Sequence, residues 1–353
     1  MSRTRTAGLF GGLAGLVVVG AAAGLTAERY AVGRARLAPD PDREQPFFEL
    51  PADRTQVVLA DDGVALHVEE VGPVDAELTV VFCHGYTQEL AVWHYQRLAL
   101  AAEGLGRLVF WDQRSHGQSG RSSAAASTVD QLGRDLQAVL LALAPAGRVV
   151  LVGHSMGGMT IMALADQRPE LFGTQVTGVA LMSTSTGRMA SLTFGLPRAV
   201  EPVTRRALPW LTRGMAGRPE LFERGRRLGT DLAFVAARKG AFGSSDVSPS
   251  VVEFVEQMLA RCPVDVIAEF YPTFVDHDKL AALDVLKAVE TLVLVGTKDR
   301  ITPLAHSRTI AVALPSANVV EVEGAGHMVQ LERPELVTLQ LQALVRRASR
   351  AAR

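Results

Sequence analysis

Short, largely apolar runs recur through the chain at 79–82, 108–111, 149–152, 179–182, 292–295 and 319–322. They lack the polar alternation of strands with one wet face, so they predict strands buried on both sides. Between them lie longer stretches with apolar residues at helical spacing. In one of these, Leu132, Leu136, Val139, Leu140 and Leu143 share a face, and Thr128 with Gln131 forms a capping box ahead of them. Strand and helix thus alternate, which predicts an α/β fold whose sheet has buried parallel strands. At its start, 56–59 and 64–71 flank Asp61-Asp62-Gly63, a hairpin signal for two antiparallel strands. At its end, a last helix is expected to open at Pro334 and close among Arg346, Arg347 and Arg350, as the helix dipole favours.

The alternation stops between Ser185 and about Lys279. That stretch is rich in helix-like pieces carrying Phe194, Trp210, Phe222, Phe234, Phe254, Met258, Phe270 and Phe274, among others. It reads as an insertion folded over the carboxyl edge of the sheet, its aromatics forming a small core of its own with a few lining a pocket. Pro39, Pro41, Pro46 and Pro51 mark a stiff, extended linker before the body. The expected organisation is therefore a membrane anchor or signal segment at 1–38, a Pro-rich linker at 39–53 and a core at 54–184. A helical cap at 185–280 and the rest of the core at 281–353 complete it.

The first of these segments rests on the uncharged stretch from Ala7 to Ala27, which follows Arg3 and Arg5 and stops at Glu28-Arg29. It is long enough to cross a bilayer, giving a single-pass, membrane-associated protein. The alternative is a cleaved signal peptide and a secreted body. Arg29, Arg34, Arg36 and Arg43 lean the body towards the cytoplasmic side, whereas the short basic tail ahead of the stretch suits export, so orientation stays open.

Composition narrows the function classes. At 353 residues and 48% apolar, the chain can bury a large core without metal or disulfide staples. A net charge of −1 supplies no basic field for nucleic acid, and no metal-ligand spacing links its histidines. With two cysteines, Cys83 and Cys262, a disulfide framework is not expected. Oligomeric state is not legible.

The chemistry is carried by Gly153-His154-Ser155-Met156-Gly157, which follows the apolar run 149–152 and precedes a helical stretch. A G-x-S-x-G match alone is weak, but strand, sharp turn and helix in this order form the setting of a nucleophile elbow, where small flanking residues make room for a strained serine. A serine hydroxyl needs a base within reach and an acid that fixes the base's tautomer. Asp299, in the loop after 292–295, is the candidate acid; its competing reading is a helix N-cap. His327 ends the small-residue loop Gly324-Ala325-Gly326 after 319–322 and is the candidate base, the glycines giving the loop freedom to bring the ring over Ser155. His154 is expected to pack under the sheet edge, and His67, His94, His277 and His306 to be scattered surface or core residues. For a developing oxyanion, the expected donors are the backbone amides of Met156 and of Tyr86, the latter in His84-Gly85-Tyr86 after 79–82. Tyr86, Met156 and Met328 are candidate pocket residues.

These segments, in this order, resemble the α/β-hydrolase fold superfamily over roughly 56–348. The stretch Asp112-Gln113-Arg114-Ser115-His116-Gly117-Gln118-Ser119 is similar to the family's D-x-R-G-x-G-x-S turn, departing from it at Ser115-His116. The resemblance implies a mostly parallel eight-stranded sheet, a cap after strand six and no cofactor. It also implies a Ser155–His327–Asp299 serine hydrolase of the carboxylesterase or lipase-like kind, acting on a small hydrophobic ester or lipid. A cofactor-free haloperoxidase or perhydrolase, a thioesterase, an amidase and a non-catalytic binding module remain alternatives. Epoxide or haloalkane hydrolysis is disfavoured, because such relatives carry aspartate where this chain has Ser155.

Overall fold

A computed structural model describes residues 38–187 and 238–351 of the protein. The expected membrane segment, Ala7 to Ala27, and residues 188–237 of the expected cap lie outside the described residues. In chain order the structure runs β1 (Arg54–Leu59), β2 (Ala65–Val71), β3 (Leu78–Cys83), α1 (His94–Glu103), β4 (Arg107–Trp111) and α2 (Val129–Leu143). There follow β5 (Arg148–His154), α3 (Met156–Gln167) and β6 (Val176–Met182). Beyond 188–237 come α4 (Pro249–Arg261), α5 (Val264–Asp276), β7 (Glu290–Gly296), α6 (Leu304–Ala313), β8 (Asn318–Val322) and α7 (Pro334–Ala351).

The strands form one 8-stranded sheet in the order β1-β2-β4-β3-β5-β6-β7-β8. Pairing is antiparallel at β1–β2 and β2–β4 and parallel at every later step. The hairpin turn follows from its sequence: Gly63 takes φ 86°, which a side chain would resist, and Ala60 N donates to Val64 O across the turn.

Strand periodicity divides the core in two. Val81, Cys83, Val109, Trp111, Leu151 and Leu181 face one way and meet Leu132, Leu136 and Val139 of α2 and Met159 and Met162 of α3. Val80, Phe82, Phe110, Val150, Val152 and Leu294 face the other way, against Leu100 of α1 and Val337, Leu341 and Leu344 of α7. Helices cover both faces, which is why the central strands read as unbroken apolar runs. Thr128 caps α2, its hydroxyl accepting from Gln131 N, but the expected box is half formed, since the Gln131 side-chain amide donates instead to Asp61 and Asp135. The exception is β8. It closes the sheet as an edge strand, so Val319 is 40% exposed rather than buried, and Glu321 takes a bidentate pair from Arg308 on α6.

The stretch expected as an extended linker does not stand clear of the body. It turns at Asp42–Gln45 and straps α1 to α4. Asp42 accepts from Tyr95 Oη on α1 at 2.7 Å and from Ser248 Oγ, just ahead of α4, at 2.5 Å. Phe47 stacks on Phe254 of α4 at 4.5 Å and lies 4.8 Å from the ring of His94 on α1. The prolines remove backbone donors and stiffen the path, but the aromatic residues between them bury apolar surface, and burial decides the outcome. Phe47→Ala, which empties that seat, is expected to lower unfolding free energy by about 3 kcal/mol in urea titration. An unchanged midpoint would show that the strap carries no stability.

Candidate active site

At the end of β5 the chain reverses through Ser155, whose φ 53° and ψ −116° lie outside the basins a side-chain-bearing residue prefers. Its neighbours have no room for more than hydrogen. A Cβ on Gly153 would stand 2.5 Å from Gly157 O, one on Gly157 would overlap the carbonyl of Cys83, and one on Gly158 would press on the side chain of Thr184. The strained turn is held from both sides: Ser155 N donates to Met182 O at 2.9 Å, and Thr184 Oγ1 donates to Ser155 O at 2.7 Å.

Asp299 follows β7, where Ile301 N and Thr302 N each donate to its Oδ1 at 2.8 Å and Thr302 Oγ1 donates to its Oδ2 at 2.8 Å. It is not the cap of the next helix, which starts after Pro303. Its Oδ2 also lies 2.9 Å from His327 Nδ1. Burial alone would raise the Asp299 pKa, but the charge and hydrogen bond of His327 and those of Thr302 outweigh it, so the carboxyl titrates below its ordinary value.

The loop bearing His327 is fixed by close packing more than by glycine freedom. Gly324 does use φ 76°, but Gly326 is small because Gly243 and Phe242 lie against it. Glu332 ties the two segments together, accepting from Gly326 N at 2.9 Å, Gly243 N at 3.1 Å and Ser244 N at 2.7 Å. With Nδ1 committed to Asp299, the ring presents Nε2 as the nitrogen without a hydrogen bond among the described residues. Ser155 and His327 line one cavity of about 340 Å³. Among the described residues no hydrogen bond joins Ser155 Oγ to the ring, a looseness common in sites without substrate.

That cavity is walled by Tyr86 and Met328 together with Val255 of α4, Ile267 of α5 and Ile301, and among the described residues no Asp, Glu, Lys or Arg lines it. The Tyr86 hydroxyl donates to Ile267 O, joining the loop after β3 to α5. Met156 departs from its expected place: its side chain is fully buried in the apolar layer under α3, because the first turn of that helix packs onto the sheet. Among the described residues its amide, at the helix N-terminus, and that of Tyr86 make no turn or loop hydrogen bond with the backbone.

The neighbouring turn explains its own sequence. Asp112 accepts from Leu90 N and Gln118 N, and burial pushes its pKa up to about 7. Ser115 takes φ 65°, a left-handed conformation usual for glycine, so the serine here holds a backbone position that glycine would adopt more easily. Arg114, fully buried, forks onto Asp135 with bonds of 2.6 Å and also reaches Asp62.

The other histidines divide. His84 donates from Nδ1 to Gly85 O and accepts from Gln113 N at Nε2, and burial holds its pKa down to about 3. His154 does lie at the sheet edge, between the Gln88 amide and the carbonyl of His327. His277 and His306 both contact Ser185, His94 contacts Gln45 and His67 contacts Glu69. Among the described residues no three His, Cys, Asp or Glu are grouped to hold a metal, and Cys83 and Cys262 are both buried. Thr302, Glu332 and Gln88 were missed in the sequence; only Thr302 left a signal, as the hydroxyl three residues after Asp299 in a turn.

Comparison with known proteins agrees with this architecture. A dihydrolipoyllysine-residue acetyltransferase component of an acetoin cleaving system from Pseudomonas putida is 27% identical over 268 residues, covering 76% of this chain but 63% of that protein. An sn-1-specific diacylglycerol lipase of Mus musculus is 27% identical over 268 residues, covering 74% of this chain and 79% of the lipase. Among solved structures, a thermophilic esterase from Thermogutta terrifontis superposes with a TM-score of 0.61 at 24% identity, over 84% of this chain and 99% of the esterase, a likeness of fold. The sequence model of the alpha/beta hydrolase fold matches residues 79–334, and with the strand order and elbow already described, the chain belongs to that family.

Proposed function

We propose that the protein is a serine hydrolase that cleaves a hydrophobic carboxylic ester through an acyl-enzyme. The observation that carries this reading is the 2.9 Å pairing of His327 Nδ1 with buried Asp299, set in the same apolar cavity as Ser155 on its strained elbow. Ser155 Oγ attacks the ester carbonyl while His327 Nε2 takes its proton, and Asp299 holds the imidazole in the productive tautomer and balances its charge. The amides of Tyr86 and Met156 receive the oxyanion. His327 returns the proton to the leaving alcohol, and water, activated the same way, clears the acyl group.

Walls that carry no charge among the described residues favour uncharged acyl groups, and the lipase name of the mouse relative supports the same class. Residues 185–280 act as the cap in this reading, with Gly240, Ala241, Val255, Leu259 and Ile267 as its described contribution to the cavity. The stretch from Ala7 to Ala27 is proposed to bring the site to a membrane surface where lipid-soluble esters partition. Among the described residues no helix is long and apolar enough to cross a membrane.

The test is a fluorophosphonate probe with a p-nitrophenyl ester panel. The wild type is expected to label once per chain, lose turnover in step with labelling, and prefer butyryl and longer esters over acetyl. Absence of labelling together with absence of turnover would refute the proposal.

A further inference from the structure

Three loops must meet for the proposed chemistry: the one carrying the Tyr86 amide, the elbow carrying Ser155 and the loop carrying His327. A single side chain touches all three. Gln88, 8% exposed, accepts at Oε1 from Gly85 N at 2.9 Å, and Gly85 immediately precedes Tyr86. The same oxygen lies 3.2 Å from Nδ1 of His154, which immediately precedes Ser155. Its Nε2 donates to Met328 Sδ at 3.3 Å, and Met328 immediately follows His327.

The Gly85 N–H fixes which end of the amide is oxygen, since an NH₂ group there would leave two donors facing each other. The contact is close enough that a Cβ on Gly85 would stand 2.9 Å from the Gln88 amide. His154 extends the link, its Nε2 lying 2.9 Å from the His327 carbonyl and its ring 4.8 Å from that of His327. Burial, with the nearby His327 adding to it, holds the pKa of His154 down to about 3, so the ring is neutral and has one N–H. It donates to one of its two oxygen neighbours at a time, and in either tautomer it ties the elbow to a neighbouring loop.

We infer that Gln88 is a positioning residue: it sets the Tyr86 amide against Ser155 and His327 by holding Gly85 and Met328 at once while lying against His154. It acts through these neighbours and takes no part in bond making. The inference rests on the proposed esterase reading. A group that aims an oxyanion donor matters more in the transition state than in the ground state, so its loss falls on kcat rather than KM.

The test compares two variants with wild type, normalised to active sites by fluorophosphonate titration. Gln88→Met keeps side-chain length and burial but removes the acceptor. It is expected to lower kcat by about 10²-fold with KM changed by less than about threefold, the magnitude of losing one oxyanion donor. Gln88→Glu keeps the acceptor for Gly85 N, which aims the Tyr86 amide, while giving up the donor to Met328, and is expected to retain kcat within about tenfold of wild type. If Gln88→Met does not fold, Gln88→Asn, which withdraws the amide by one methylene, is expected to show the same kcat loss. Full kcat in the Met or Asn variant, or equal losses in Met and Glu, overturns the inference while leaving the esterase reading intact. A wild type that neither labels nor turns over esters overturns both.

Discussion

Ser155→Ala is expected to cut ester turnover by roughly 10⁴- to 10⁶-fold, as in other enzymes that lose the nucleophile of a triad. The protein should stay as stable as wild type within about 0.5 kcal/mol. The two halves of this expectation have separate causes. Turnover falls because, among the described residues, Ser155 alone carries a hydroxyl at the elbow in the cavity with His327, Tyr86 and Thr87 lying on the loop after β3. Stability holds because Thr184 and Met182 grip the backbone of residue 155 rather than its hydroxyl, and alanine keeps those bonds. Alanine also keeps a Cβ at φ 53°, so the strain persists. Ser155→Gly has no such Cβ and is expected to be more stable than wild type by about 1–2 kcal/mol, the strain that the elbow stores. Chemical denaturation of the three proteins beside initial-rate assays separates these effects. A glycine variant no more stable than the alanine variant would mean that the elbow is unstrained, and an alanine variant with substantial turnover would remove Ser155 from the mechanism.

What the sequence made legible was local. The elbow shows because its constraints are written in adjacent residues: a strand that ends at His154, and three glycines whose missing side chains leave space for Cys83, Gly157 and Thr184. Asp299 and His327 show because each follows a recognisable strand through turn-forming residues, and the hairpin shows because Gly63 sits in its turn. The parts that did not show depend on packing between distant segments. Gln88 and Met328 meet across 240 positions of chain, and Glu332 reaches Gly243 across 89. No periodicity announces a polar side chain that serves a backbone amide that far away. The exposure of Val319 likewise follows from β8 being last in the sheet, a property of strand order and not of the run itself. Met156 illustrates a third case. Position beside the nucleophile suggested a pocket residue, but the direction of its side chain is set by which face of α3 meets the sheet.

Acid should destabilise the fold well before most of its carboxylates are lost, because three buried imidazoles cannot accept protons in place. Burial, the largest cause in each case, holds the pKa of His84 and His154 down to about 3 and that of His116 down to about 4. In the unfolded chain each takes a proton near pH 6.5. Between those values the unfolded state binds more protons than the native state, so stability falls as pH falls. Three such groups remove roughly 4 kcal/mol between pH 6 and pH 5, at about 1.4 kcal/mol per group and pH unit less incomplete titration. Asp112 works the other way. Its folded pKa of about 7 lies above its unfolded value, so the native state binds the extra proton and recovers about 1 kcal/mol over the same interval. His67 is raised, chiefly by its hydrogen bond to Glu69, and adds little there because both states are protonated below pH 6. The net expectation is a loss of about 3 kcal/mol from pH 6 to pH 5, a large share of an ordinary domain's stability. His94, His277 and His306 are shifted in the same direction as the first three and deepen the loss. Urea titrations at pH 7, 6 and 5 measure it, and His116→Gln supplies the control. His116 lies against Tyr86 and Phe270, contacts the carbonyl of Arg114 through Nδ1, and has no partner at Nε2 among the described residues. A glutamine can keep the donor to Arg114 without a titrating group, so the pH slope should shrink by about one proton. A stability flat from pH 7 to pH 5, or a slope that His116→Gln leaves unchanged, would mean that these rings find protonated states inside the fold that burial should deny them.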